Sequence, residues 1–462
     1  MEKYLKYAVI SLVLASFAAK SVLIFANEGL WWDEAVYLGL GRSVLDGYYS
    51  LDSESPVETY RPPLFPLTLS PLSHSIAYAR IGVIALSALA VITTYWLSKK
   101  LAGKEAALWT SLFLSANQLF VFFSGKVLSE PLFMILLASS LLLLLRGGKA
   151  TLFISGLFSG LAFLTRYIGA IFLIPYMLYF LLVVYKKRNA ESCMNIAAFA
   201  LGVFLALSPS LLLSHLYYGN MLASFQIYAQ TTLNSVDLLP QLADNAAGVL
   251  QLFSLQIFFV AGGLFLLLKK TKKKPGNERN WLMLLLLAIP LIFAFLGRVA
   301  GSRFLLSFLP FYALLAGISL VKSDFKILGM RHVKIIALIV CFYCLLSGIW
   351  MAWGDRFAAN SLVEASLYIK NVAQENDTIM SASYPYVYYL AERKAAAFPS
   401  GAEAIIPYAR QNNIKYAIVY KFEPENPAYL EDYFANSSAF MAVKSFGQWG
   451  DENAAVIYAF KD

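Results

Sequence analysis

Apolar residues gather along this chain in runs long enough to cross a bilayer, separated by short polar connections rich in lysine and arginine. A helix rises ~1.5 Å per residue, so about 20 apolar residues cover a hydrocarbon core of ~30 Å. The first such run covers 7–26. Others follow near 78–98, 106–124, 130–146, 151–165, 168–185, 194–214, 246–268, 281–297, 304–321 and 333–353, which predicts eleven spans. The first run follows Lys3 and Lys6, contains Lys20, and passes into Asn27 and Glu28 without a small-residue cleavage site. It therefore reads as a retained anchor and not as a signal peptide.

Two connections are long, 27–77 and 215–245. Long connections in compact proteins tend to be functional or to carry helices of their own, so short helices along the outer membrane surface are expected in both. Beyond residue 355 the pattern changes. Charges are spread evenly, and helix-like segments near 361–373, 401–412 and 427–435 alternate with strand-like segments at Thr378–Ala382, Lys415–Tyr420, Phe440–Ser445 and Ala454–Phe460. That alternation predicts a small α/β layer structure. The expected organisation is a polytopic α-helical membrane domain over 1–355, with catalytic outer loops 27–77 and 215–245, and an extracytoplasmic α/β domain over 356–462.

Composition agrees with a lipid solvent. The chain of 462 residues is 59% hydrophobic and 14% charged, with a mean hydropathy of +0.62. A soluble domain is roughly 45–50% apolar and about 25% charged, so an ordinary soluble protein is excluded. The net charge of +9 would suit nucleic acid if the cations formed one patch. Instead they sit between apolar runs, as in Lys99, Lys100 and Lys104 or Lys186, Lys187 and Arg188. Such clusters fall in alternate loops, whereas the connections between hold only Arg42, Arg61, Arg80, Lys126, Arg166, Arg298 and Arg303. The positive-inside rule then places the N-terminus in the cytoplasm and residues 354–462 outside a multi-pass plasma-membrane protein, with no nucleic-acid partner.

Cysteine and histidine add little. Cys193, Cys341 and Cys344 all lie in apolar runs, which argues against a disulfide framework. His74, His215 and His332 form no i, i+4 pair, so a histidine-built metal site is not expected. Sequons at Asn376 and Asn436 matter only if the host glycosylates its exterior.

Acids and arginines on the predicted outer face carry the candidate chemistry. Trp31-Trp32-Asp33-Glu34 follows the first span. The tryptophans suit an interface belt, while the two acids stand at the mouth of an apolar bundle, where desolvation raises carboxylate basicity. Asp33 also reads as a solvated loop acid. In Tyr60-Arg61-Pro62-Pro63 a stiff proline series holds an arginine whose planar fork matches phosphate oxygens, or which simply snorkels to the interface. Glu130 opens the fourth span beside Pro131, as a helix-capping acid or a functional one. Arg166 in Leu164-Thr165-Arg166-Tyr167 and Arg303 in Gly301-Ser302-Arg303-Phe304 sit at span boundaries, where ionisable groups usually face a cavity or a partner. Five separate segments thus bring acids and arginines to one face. They suit a reaction in which a lipid phosphate leaves while a hydroxyl or amine attacks.

In their order along the chain, these motifs, together with Arg303-Phe304-Leu305-Leu306-Ser307-Phe308-Leu309-Pro310, resemble the class C glycosyltransferases. The resemblance covers about 5–355 and is nearest to the prokaryotic branch related to protein O-mannosyltransferases and lipid A aminoarabinose transferases. It implies a GT-C fold and transfer of a sugar, with inversion, from a dolichyl- or undecaprenyl-phosphate donor. The acceptor would be a protein, lipid or glycan on the outer face. By position it makes Asp33 the general base and Glu130 the second catalytic acid. Glu34, Arg61, Arg166, Arg303, Tyr60 and Tyr167 fall to substrate binding. It fixes no cofactor and leaves a divalent cation, held by Asp33 and Glu130, as an option. Trp31-Trp32-Asp33 is also similar to an oligosaccharyltransferase signature, which in that family lies in the C-terminal outer domain and not in loop one. A transporter or flippase of lipid-linked glycans is the competing reading. Such proteins usually show repeated halves and midplane charges, whereas this chain shows no convincing repeat.

Overall fold

A computed structural model describes residues 2–51, 57–58, 60–233, 238–273, 277–296, 302–322, 329–423, 426–447 and 454–461. Arg298 and the loop stretches 52–56, 59 and 234–237 lie outside the described residues. Among the described residues, six helices are long and apolar enough to cross a membrane: Lys3–Ala26, Ile76–Ala102, Gly169–Lys187, Ala190–Tyr218, Ala246–Lys273 and Met330–Gly354. Shorter apolar helices occupy Glu130–Leu144, Lys149–Thr165 and Leu309–Lys322. The protein is a polytopic helical membrane protein.

Where the sequence suggests an unbroken span at 106–124, the chain forms two helices, Lys104–Ser115 and Gln118–Phe123. Asn117 is the cause. Its side chain accepts hydrogen bonds from the Leu119 and Phe120 N–H groups at 3.1 and 3.2 Å, which caps a new helix. Such a break frees carbonyls that must be satisfied within the bundle. Gln256, beside a second irregular stretch at Ser254–Gln256, donates to the Phe113 carbonyl at 3.2 Å, and Asn117 donates to the Leu252 carbonyl at 2.7 Å. The two breaks thus satisfy each other. The predicted span at 304–321 likewise resolves into Ser302–Leu306 and Leu309–Lys322.

The chain divides into two compact units. The first comprises Met1–Ile24, Thr59–Phe65 and Arg80–Trp353. Within it, helices Lys149–Thr165 and Ala190–Tyr218 meet backbone to backbone. A Cβ added at Gly156 would lie 2.0 Å from the Phe199 carbonyl oxygen, and one at Gly202 would lie 2.1 Å from that of Phe153. In lipid, where burial gives no hydrophobic drive between helices, such close approach and buried hydroxyls do the packing. Ser140 and Ser155 exchange hydrogen bonds with each other's carbonyls at 2.8 Å, and Ser140 also reaches the Ser159 hydroxyl at 2.8 Å. These bonds fasten helix Glu130–Leu144 to helix Lys149–Thr165.

The second unit comprises Phe25–Glu58, Pro66–Ala79 and Gly354–Asp462. It holds helix Trp32–Leu45 and a sheet of strands β1 Thr378–Met380, β2 Lys394–Ala396, β3 Ile414–Tyr420, β4 Phe440–Phe446 and β5 Ala455–Phe460. The strand order is β2-β1-β3-β5-β4, with β1 parallel to β2 and β3, and β5 antiparallel to β3 and β4. Phe434 and Phe440 pack on Tyr458 and Ile414 in its core. Backbone bonds from Gly29 N–H to the Arg356 carbonyl (2.7 Å) and from Leu30 N–H to the Ala358 carbonyl (3.2 Å) tie the first long connection into this unit.

Candidate functional site

Hairpin geometry makes the first feature of the site. Helices Glu130–Leu144 and Lys149–Thr165 are joined by a short turn in which Gly147 and Gly148 take φ of 75° and 88°, a conformation that side chains disfavour. Helices of 15 and 17 residues rise by nearly equal amounts, ~22 and ~25 Å, so the start of one returns beside the end of the other. The residues at those two ends are Glu130 and Arg166. A carboxylate suits the positive N-terminus of a helix and a guanidinium the negative C-terminus, so the dipoles favour the pair.

Glu130 is 1% exposed, and its Oε1 lies 2.7 Å from Arg166 Nη1 and 2.7 Å from Arg303 Nε. Arg166 Nη1 also donates to the Ser129 hydroxyl at 3.2 Å. The other carboxylate oxygen, Oε2, is buried with no hydrogen-bond partner. Arg166 and Arg303 are 18% and 26% exposed, so both cations open outward from a buried anion. Two guanidiniums over one carboxylate leave a net positive charge, and the planar forks match the oxygens of a phosphate.

Aromatic rings gather in the same unit. Tyr167, next to Arg166, lies 5.0 Å from Tyr228 between ring centroids, and Tyr228 lies 5.6 Å from Tyr60. The Arg61 guanidinium stands 4.8 Å over the Tyr60 ring. Tyr228 belongs to helix Ala223–Leu233 of the second long connection and was not among the residues expected from sequence. Its only signal there is an aromatic within a polar stretch. Lys126 is a second omission, 2% exposed four residues before Glu130.

Asp33 and Glu34 lie in the second unit, in the first turn of helix Trp32–Leu45. Glu34 is fully buried and accepts the Trp31 N–H at 3.1 Å, which fixes the start of the helix. Asp33, one residue earlier, is half-buried. The tryptophans have protein partners: Trp31 donates to Asp355 at 2.7 Å, and Trp32 meets Tyr384 edge-on at 5.6 Å. Tyr386 donates to the Leu30 carbonyl at 2.7 Å. Burial, followed by the carboxylate of Glu34 and, more weakly, that of Asp33, pushes the Tyr386 hydroxyl well above its ordinary range.

Among the described residues no three His, Cys, Asp or Glu side chains converge as a metal site. At Glu130 the two guanidiniums already supply the cationic charge, which disfavours a divalent ion on that carboxylate.

Residues 62–213 match the family model of dolichyl-phosphate-mannose-protein mannosyltransferase, and residues 197–363 match that of OpgC protein. No curated protein matches the chain. Among solved structures, ArnT from Cupriavidus metallidurans bound to undecaprenyl phosphate is similar at 12% identity and a TM-score of 0.70, covering 98% of this chain and 97% of that one. The Archaeoglobus fulgidus oligosaccharyltransferase in complex with Zn and sulfate is similar at 13% identity and a TM-score of 0.61, covering 92% of this chain and 70% of that one. The fold is that of a multi-pass membrane protein in which Asp33, Glu130, Arg166 and Arg303 stand at helix ends. It is the class C glycosyltransferase fold, shared with those two solved structures.

Proposed function

We propose that this protein transfers a sugar, with inversion, from a dolichyl- or undecaprenyl-phosphate donor to a protein, lipid or glycan acceptor on the outer face of the plasma membrane. The observation that carries this reading is the pairing of Arg166 and Arg303 on one buried oxygen of Glu130. In the proposed reaction Asp33 takes the proton from the acceptor hydroxyl or amine as it attacks the anomeric carbon. The bond from that carbon to the phosphate oxygen breaks, and its electron pair goes to the departing polyprenyl phosphate. Arg61, Arg166 and Arg303 stabilise that charge, since fixed donors aimed at developing charge are the strongest catalytic device in a water-poor site. Glu130 acts through the two arginines by holding their forks in register, and Tyr60 and Tyr167 pack against the donor. Glu34 contributes by setting the first turn that carries Asp33.

Two comparisons support the substrates: the solved ArnT carries undecaprenyl phosphate, and the oligosaccharyltransferase has been solved tethered to an acceptor peptide. The proposal retains a cytoplasmic N-terminus, a transmembrane domain over 1–355 and an outer domain over 356–462. A divalent ion, which that oligosaccharyltransferase holds as Zn, would fall to Asp33. The test is incubation of purified protein with a panel of short-chain polyprenyl-phosphate hexoses and pentoses plus membrane extract, with mass spectrometry of the lipids. Release of polyprenyl phosphate from at least one donor is expected. No release from any of them, alongside an active control transferase, overturns the reading.

A further inference from the structure

The first unit has a second polar opening, framed by the starts of three helices. Lys3 and Lys6 lie in the opening turns of the first helix, Lys104 is the first residue of Lys104–Ser115, and Lys334 lies in the second turn of Met330–Gly354. All four lysines line one cavity of about 420 Å³. One acid stands against them, Glu105, which pairs with Lys334 at 2.6 Å. Lys6 and Lys104 have no carboxylate within ion-pair distance among the described residues. The positive ends of the three helix dipoles add to the lysine charge. The remaining wall is apolar, made by Leu5, Val9, Leu108 and the buried ring of Trp109.

Lys3, Lys6 and Lys104 are exposed and Lys334 is buried. Here lysines from three separate segments surround one recess, and its wall is half hydrocarbon. A cationic rim over an apolar wall at a membrane surface is the chemistry that holds an anionic headgroup while its acyl chain lies alongside.

We infer that this cavity binds a phosphate-bearing anion, with Lys6 and Lys104 on the phosphate and Leu5 and Trp109 against the apolar portion of the ligand. Retention of lipid by the full chain, followed by native mass spectrometry after delipidation, tests it. Phosphatidylglycerol is expected to be retained about tenfold better than phosphatidylcholine, and the Lys6→Gln/Lys104→Gln variant to lose most of that preference while its thermal unfolding stays near wild type. Lys269→Gln/Lys270→Gln, which changes equal charge near the end of helix Ile257–Lys273, should keep it. If inorganic phosphate displaces the bound lipid, the ligand is a soluble phosphate; if the lipid persists, it is a headgroup. Equal retention of the two lipids by wild type, or equal loss of preference in both variants, overturns the inference.

Discussion

Arg303 and Glu130, 173 residues apart in sequence, meet through a 2.7 Å hydrogen bond from Nε to Oε1. The same oxygen receives Arg166, so one buried charge holds two cations from different helices. Removing an acid from such a group leaves guanidiniums that no longer have a common anchor.

Glu130→Gln keeps the shape of the side chain and loses its charge. Breaking a buried ion pair by neutralising one partner costs roughly 3–5 kcal/mol, so the variant should unfold at a clearly lower temperature in detergent. Unfolding indistinguishable from wild type would remove Glu130 as the anchor of the two arginines.

Arg166→Lys keeps the charge and loses the planar guanidinium whose Nη1 contacts both Glu130 and Ser129. A point charge cannot make the same paired contacts, and about tenfold weaker use of the donor is expected, seen mainly in KM. An unchanged KM would move phosphate binding to other residues.

Gly156→Ala places a methyl group where the Phe199 carbonyl already stands, so helices Lys149–Thr165 and Ala190–Tyr218 must separate. Overpacking of this kind costs about 1–3 kcal/mol. Because helix Lys149–Thr165 ends at Arg166, donor use should fall together with stability. Loss of stability with full activity would show that Arg166 does not depend on this packing.

The C-terminal region carries a pH-sensitive contact. Lys370, 2.8 Å from Glu392, holds that carboxyl below the usual carboxylate value of 4.5, with a further contribution from Arg42 at 3.4 Å. A lowered folded-state value means the contribution is full above pH 4.5 and is lost as pH falls below it. Wild type should therefore lose more stability than Lys370→Gln when melts at neutral pH are compared with melts below that value. Equal losses in the two proteins would show that this pair contributes nothing, as many exposed pairs do.

Much of this architecture is legible in hydropathy, because a helix in lipid must be apolar over its whole length and its charges must sit at its ends. Glu130 and Arg166 stand out for that reason, as ionisable residues at span boundaries whose helices are joined by a Gly-Gly turn. Their meeting with Arg303 is not legible, since nothing in local sequence fixes which helix packs against which across 173 residues. The break at Asn117 was hidden as well. Its neighbours Leu119 and Phe120 are as apolar as any span, and the deciding signal is one capping side chain. In the sheet, β-branched and aromatic residues reveal β3, β4 and β5. The three-residue β2, Lys-Ala-Ala, carries too little side chain to register as a strand. Glu34 shows a different limit, for neither its burial nor its bond from the Trp31 N–H can be read from the sequence.

The most direct test of the proposed chemistry compares wild type with Asp33→Asn at saturating polyprenyl-phosphate sugar and acceptor, following release of polyprenyl phosphate by mass spectrometry. Asparagine preserves the size of the side chain and removes its basicity. General-base catalysis contributes about 10²–10⁴-fold, so turnover should fall by at least about a hundredfold while donor binding and thermal unfolding stay near wild type. Turnover within about threefold of wild type would contradict the account, because a side chain contributing on that scale cannot be neutralised at so small a loss.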